Sequence, residues 1–342
     1  MKRLGFAGLS SVLCLAFALP VMAQPQSPAD IACNAKATKF YNETTKTLAT
    51  FDDFVKDATC KDSMYRESSF TTFIGELVKT SKWKETLDLA TRFSAEIPNA
   101  KAESKKYVLD NGLQAASALG DIDKILEWGE KVLAVDPNDL NALVIVTPTL
   151  PDKFPQLTDA AAKDKLLARA MELAKKILAM TKPGGLDDKT WQTAVIAPAH
   201  SVVGFVHLQK QENAEAAAEY DQVVKIIPKD QTSWYRQGLA LTYIATAAQK
   251  LIAPAYDEIN TPENRIPGPG RDAAVAKRDA IEADYVAKRD KAIDPFISAV
   301  ALGGPIADSA GKTLDSLWEP AHNNSKEGLA EAIAKRKAEL NK

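Results

Sequence analysis

Histidine and cysteine each occur only three times in 342 residues, and aromatic residues make up 7%. His200, His207 and His322 have no carboxylates at ligand spacing, so no set of side chains converges as a catalytic metal would need. There is no Cys-x-x-Cys, and neither Cys33 nor Cys60 has a histidine nearby, so nothing marks a reactive thiol pair. A phosphate loop, a Gly-x-Ser-x-Gly elbow and a His-Glu-x-x-His helix are also missing. The glycines of "IPGPGR" (266–271) sit among prolines, which lack the backbone donors a phosphate needs. "ALGGP" (301–305) reads as a helix ending. The paired acids Asp52–Asp53 and Asp187–Asp188 read as residues near helix starts, where a carboxylate complements the dipole. Charge of one sign is absent too. The 43 basic and 45 acidic residues leave a net charge of −2, and no basic–aromatic cluster points to nucleic acid. Strand-like runs of Val, Ile, Thr and Tyr are scarce, which leans toward an all-α chain. The expectation is no catalytic residue, no metal ligand, no cofactor and no enzyme.

The one long apolar run is at the start. "MKR" precedes "LGFAGLSSVLCLAFAL", and "PVMA" is followed by Gln24. A basic segment, an apolar segment and small residues before a cleavage point form a signal-peptide pattern over residues 1–23. The alternative is an uncleaved anchor, but the run is short for a span. The chain is therefore expected to be exported, periplasmic or secreted, with no membrane span once the leader is removed. Cleavage would leave Cys33 and Cys60 flanking a stretch able to fold back as a helical hairpin. In an oxidising compartment they are candidates for one disulfide, against two buried, reduced thiols.

"AHSVVGFVH" (199–207) holds His200 and His207, seven residues apart and so on one face of a helix. They lie inside "APAHSVVGFVHLQKQENAEAAAEYDQVVKIIPKD" (197–230), where Gly204, Ala216, Tyr220 and Pro228 stand at telling positions. Trp234 and Gly238 follow His200 and Gly204 after 34 residues. This segment resembles a tetratricopeptide (TPR) repeat, a 34-residue pair of antiparallel helices. The resemblance implies that both histidines pack between helices, with ring nitrogens bonded locally. It is weaker elsewhere over roughly 70–320. Gly120–Asp121 and Asp136–Pro137 mark one earlier unit, with Ile125 in place of the usual alanine and Gly112 one place early. Trp83 and Pro98 mark another, with Thr86 in place of alanine. The whole layout looks like that of exported bacterial TPR proteins.

Two stretches interrupt the pattern. "TPTLPDKFPQL" (147–157) and the proline-rich 254–270 read as loops. An amphipathic helix carrying Leu166, Ala170, Leu173, Ile177 and Leu178 follows the first. After the second, "VAKRD" occurs at 275–279 and again at 286–290, eleven residues on. Eleven residues is about three turns, which predicts an apolar stripe of Val275, Val286, Ile293 and Ile297, with Asp284–Lys288 and Arg278–Glu282 as ion pairs across one turn. Trp318 is expected to pack on the last repeat, and Ser325 to cap the final helix.

The predicted architecture is an all-α, TPR-type antiparallel helix-pair solenoid, a right-handed superhelix with irregular insertions. Its parts are a signal peptide (1–23), an N-terminal helical segment (24–66), about five TPR-like units (67–320) and a capping helix (321–342). The resemblance implies a scaffold or adaptor that takes a protein or peptide in a concave groove. Carried onto the two clearest units, its groove positions are Ser201, Phe205, Leu208 and Gln209, then Tyr235, Leu239, Thr242 and Tyr243. Two other readings stay open. One is a structural cell-envelope component that self-associates through 272–302. The other is a cryptic hydrolase with the two insertions as lids.

Overall fold

The computed structural model describes residues 28–63 and 65–342; the leader pattern of residues 1–23 lies outside them. The described residues are helices, turns and short irregular links, with no strand among them. The described residues divide into two compact units, one up to Val108 and one from Leu109 to Lys342.

The first unit contains α1 (Pro28–Asn42), α2 (Leu48–Val55), a 3-10 turn (Ala58–Cys60), α3 (Tyr65–Lys79) and α4 (Trp83–Glu96); α5 (Ala102–Leu119) spans the boundary. α1 and α2 fold back on each other, and Cys33 and Cys60, both fully buried, are joined as a disulfide. Thr47 starts α2 with a reciprocal capping box: its hydroxyl accepts the Thr50 N–H and the Thr50 hydroxyl accepts the Thr47 N–H. The core is phenylalanine. Phe51 meets Phe70 edge-on at 4.9 Å and Phe73 at 5.1 Å, and Phe70 meets Phe93 at 5.7 Å. Asp52 and Asp53 are not caps. They lie late in α2, where Asp52 pairs with Lys56 (2.8 Å) and Arg92 (2.9 Å) and Asp53 with Lys36 (3.5 Å). Partial burial pushes the Asp52 carboxyl up, but its hydrogen bonds to Lys56 and Arg92 prevail and hold it below the ordinary carboxylate value.

The second unit continues with α6 (Ile122–Val135), α7 (Leu140–Lys153), a 3-10 turn (Phe154–Gln156), α8 (Ala160–Leu178), the single turn α9 (Asp188–Thr190), a π-helical turn (Trp191–Ile196) and α10 (Ala197–Gln209). Then come α11 (Asn213–Ile226), α12 (Gln231–Gln249), α13 (Ile252–Ile259), α14 (Pro269–Leu302), α15 (Ala307–Ala321) and α16 (Leu329–Leu340). Asp121, Asp139, Asp159, Asp187 and Asp230 each accept a backbone N–H at a helix start. Antiparallel helix pairs of the TPR kind are built on one repeated contact, a glycine under an aromatic ring. A methyl group on Gly112 would lie 2.3 Å from the Trp128 ring, and one on Gly204 would lie 3.1 Å from Tyr220. Both partners are sixteen residues downstream, so Gly112 is in register with its ring and is not misplaced. Gly238 makes the same contact with Phe296, at 2.8 Å, but across 58 residues. The second helix of the last repeat is thus the C-terminal half of α14.

Several sequence expectations are corrected here. The stretch 147–157 is not a loop: α7 runs through Pro148 and Pro151 to Lys153. The prolines deprive the Val144 and Thr147 carbonyls of helix donors. Burial of Leu143, Val146 and Leu150, roughly 1.5–3 kcal/mol each, is comparable with the cost of two interior prolines, about 3 kcal/mol each. Buried Thr149 also donates its hydroxyl to the Ile145 carbonyl at 2.8 Å. A segment so packed is not a lid. The second insertion contains α13, and Pro269 opens α14, at a position where a missing N–H costs nothing. In α8 the buried stripe is Leu167, Ala170, Leu173, Ala174 and Ile177, with Leu166 and Leu178 only half-buried. In α14 Val286 is exposed and Arg289 is buried instead. Arg278 and Arg289, eleven residues apart, each pair with the following aspartate, Asp279 and Asp290, so Arg278 does not pair with Glu282. Asp284 and Lys288 do pair, at 2.6 Å. Trp318 lies in a core with Phe296, Ile297 and Leu314. Gly328, with φ +78°, precedes α16 in place of Ser325, whose hydroxyl instead accepts the Glu327 N–H.

Candidate protein-binding surface

α10 and α11 run antiparallel, and two histidine–glutamate pairs record their register. The Nδ1 of His200 lies 2.6 Å from Glu219 Oε2, and that of His207 lies 2.6 Å from Glu212 Oε2. The residue numbers of each pair have the same sum, as required of two antiparallel helices in fixed register. An ionised carboxylate only accepts, so each Nδ1 carries the hydrogen. Both imidazoles are half-buried, not interior. Each is held by its own glutamate, and the two do not converge on a common point. Among the described residues no group of three or more His, Cys, Asp and Glu side chains is placed to hold a metal ion.

Between these helices Tyr220 is fully buried under Gly204. Arg236 lies near enough to favour the ionised phenol, though not in hydrogen-bond geometry with its hydroxyl. Burial prevails and pushes the phenol from its ordinary value near 10 to about 12. The folded state therefore favours the neutral ring. This contribution, about 2–3 kcal/mol, is complete below pH 10 and is lost as pH rises toward 12. Urea melts between pH 9 and 12 are expected to show that loss, and Tyr220→Phe to flatten it.

The eight groove positions divide. Phe205 is only 7% exposed, edge-on to Phe154 at 5.5 Å and covered by the Arg236 guanidinium at 5.6 Å. It offers a partner little surface. Tyr235 is half-buried and packs edge-on against Phe296 at 5.8 Å, and Leu239 joins the same cluster. Leu208 packs beside Ala216 and Tyr220. Ser201 and Thr242 are half-buried, and the Thr242 hydroxyl donates to the Gly238 carbonyl. Gln209 and Tyr243 are exposed, Tyr243 at 49%. The inserted α14 accounts for part of this pattern, because it occupies the face of α12 that Tyr235 and Leu239 present.

Tyr243 borders a depression of about 410 Å³ beside the α10–α11 turn. Ile244, Ala247, Ala248 and Leu251 line it from the same side, with Glu212 and Glu215 from the start of α11 and Lys288 from α14. Leu251 is 54% exposed. The sequence reading missed Leu251, Glu215 and Lys288. The spacing 243, 244, 247, 248, 251 is a helical stripe and was available as a signal. Lys288 was not, since only the fold of α14 brings it there.

No protein-family model matches the chain, and no curated protein matches it. Among solved structures it is similar to a thermophilic TPR protein of Thermus thermophilus, at 15% identity over 65% of this chain and 98% of that one, with a TM-score of 0.31. It is also similar to a tetratricopeptide repeat protein of Parabacteroides merdae, at 14% identity over 85% of this chain and 100% of that one, with a TM-score of 0.35. Values this low carry no functional argument.

Proposed function

We propose that this helical repeat protein is a non-catalytic scaffold that holds a protein or peptide partner on its second unit, in the depression bordered by Tyr243 and Leu251. The observation that carries the reading is two large apolar side chains left half in water, at 49% and 54% exposure, beside a concave surface with both charge signs on its rim. Apolar anchors within a polar rim are the usual anatomy of a binding surface. Residence outside the cytoplasm belongs to the same reading, supported by the pattern of residues 1–23 and by the Cys33–Cys60 bond. The test is crosslinked capture of partners from the native host with the full chain and with Tyr243→Ala/Leu251→Ala. Both side chains are exposed, so stability should shift by less than about 1 kcal/mol. Affinity should fall at least about tenfold, as for a pair of interface anchors. An unchanged set of partners would sink the reading.

Self-association is the second reading, and one observation favours it. Tyr256, Ile266 and Val286, exposed by 42%, 72% and 39%, lie on the α13–α14 segment. Sedimentation over a hundredfold concentration range decides: a dimer abolished by Val286→Lys supports it, and a monomer throughout removes it.

A further inference from the structure

The first unit has a cavity of its own, about 350 Å³, between the start of α2 and the faces of α3 and α4. Its floor is apolar, made by Phe73, Leu77 and Leu89. Leu48, at the first turn of α2, stands at the mouth with 53% of its surface in water. A volume at the lower end of the small-ligand range suits one side chain or a short segment, not a large cofactor.

The charges around the mouth are not equivalent. Lys46 already donates to the Tyr41 and Glu43 carbonyls, at 3.4 and 3.3 Å, and lies 5.6 Å from the Phe40 ring. Arg92 is held by Asp52 and Glu96, at 2.9 and 3.2 Å, against the Phe51 and Phe70 rings. Those two cations are committed within the fold. Lys82, Glu85 and Asp88 are exposed and make no side-chain ion pair among the described residues. Glu85, in the first turn of α4, has a local role in complementing the helix dipole. Asp88, one turn further in, has none. The uncommitted charge at the mouth is two carboxylates on one edge of α4 against a single ammonium.

We propose that this cavity is a second binding site, which takes one aliphatic side chain of a basic peptide segment and pairs the neighbouring Lys or Arg with Glu85 and Asp88. The apolar floor supplies affinity and the acidic edge supplies orientation and preference. The site is independent of the Tyr243 surface, so either reading can fail alone.

The probes are two labelled peptides, Ac-Ala-Lys-Leu-Leu-Lys-Ala-NH2 and Ac-Ala-Glu-Leu-Leu-Glu-Ala-NH2, titrated into the full chain by fluorescence anisotropy at low salt. The lysine peptide is expected to bind at least tenfold more tightly than the glutamate peptide, and to weaken as salt is added. Glu85→Lys/Asp88→Lys should reduce its affinity at least tenfold, and Leu48→Asp should reduce it also. All three positions are exposed, and far-UV circular dichroism with a thermal melt checks that the variants fold. Tyr243→Ala should leave this binding unchanged. Equal binding of both peptides, no binding up to about 1 mM, or indifference to the charge reversal would each overturn the proposal.

Discussion

Phe296→Ala should cost the second unit about 3–5 kcal/mol, the range for removing a fully buried aromatic ring. The ring is 0% exposed and fills the space over Gly238. It meets Tyr235 edge-on and shares a core with Ala292, Ala299, Ala310, Leu314 and Trp318. Nothing in the glycine's place can collapse into the void, because Gly238 has no side chain to move. In urea unfolding followed by tryptophan fluorescence, the midpoint should fall while the slope stays near its original value. Thermal melting should drop by roughly 10 °C for a unit of this size. Val286→Ala, on the outer face of the same helix, should change stability by less than about 0.5 kcal/mol. A loss below about 1 kcal/mol for Phe296→Ala would mean that α14 does not serve as the second helix of the last repeat.

Removing the disulfide should be felt nearly as strongly in the first unit. Cys33 and Cys60 are 27 residues apart, and closing a loop of that length in the unfolded chain corresponds to about 3.5 kcal/mol in the chain-entropy account. α1 and α2 are short, at 15 and 8 residues; α2 is below, and α1 only at, the length of about 12–15 residues at which isolated helices become marginal in water. Their order therefore depends on packing around Phe40 and on the bond. The double variant Cys33→Ala/Cys60→Ala avoids placing a hydroxyl at two fully buried positions. Hydrogen exchange over residues 28–60 should rise by two to three orders of magnitude relative to α3 and α4. Equal exchange in the oxidised protein and the double variant would show that packing alone orders the hairpin.

How legible the fold was depended on how local its cause was. The pair α10–α11 was readable because Gly204, Tyr220 and Pro228 fall within a single repeat. The helix cap at Asp187 was readable for the same reason. Pro148 and Pro151 misled, because the local rule against interior proline was outweighed by burial that no local window reveals. The predicted stripe on α14 failed at Val286 because valine is the more apolar residue, yet Arg289 and Ala292 are the ones that face inward. The exposure of the eight candidate groove positions was half legible. Tyr243 and Gln209 stand in the open, but Phe205 and Tyr235 are the rings a sequence reading favours, and both are engaged by neighbours distant in the chain, Phe154 and Phe296.

The glycine–ring contact that recurs at a separation of sixteen residues and then at 58 has a kinetic side. Lengthening the connection from sixteen to 58 residues adds about 1 kcal/mol of closure entropy. That cost falls before the contact is made and so belongs to the barrier. The α10–α11 pair can zip from local encounters, whereas α12 must wait for a helix still far along the chain. Refolding should therefore show Tyr220 protected early and Tyr235 late. Shortening residues 250–290 to a tight turn that keeps Phe296 in place should speed the late phase and leave the early one alone.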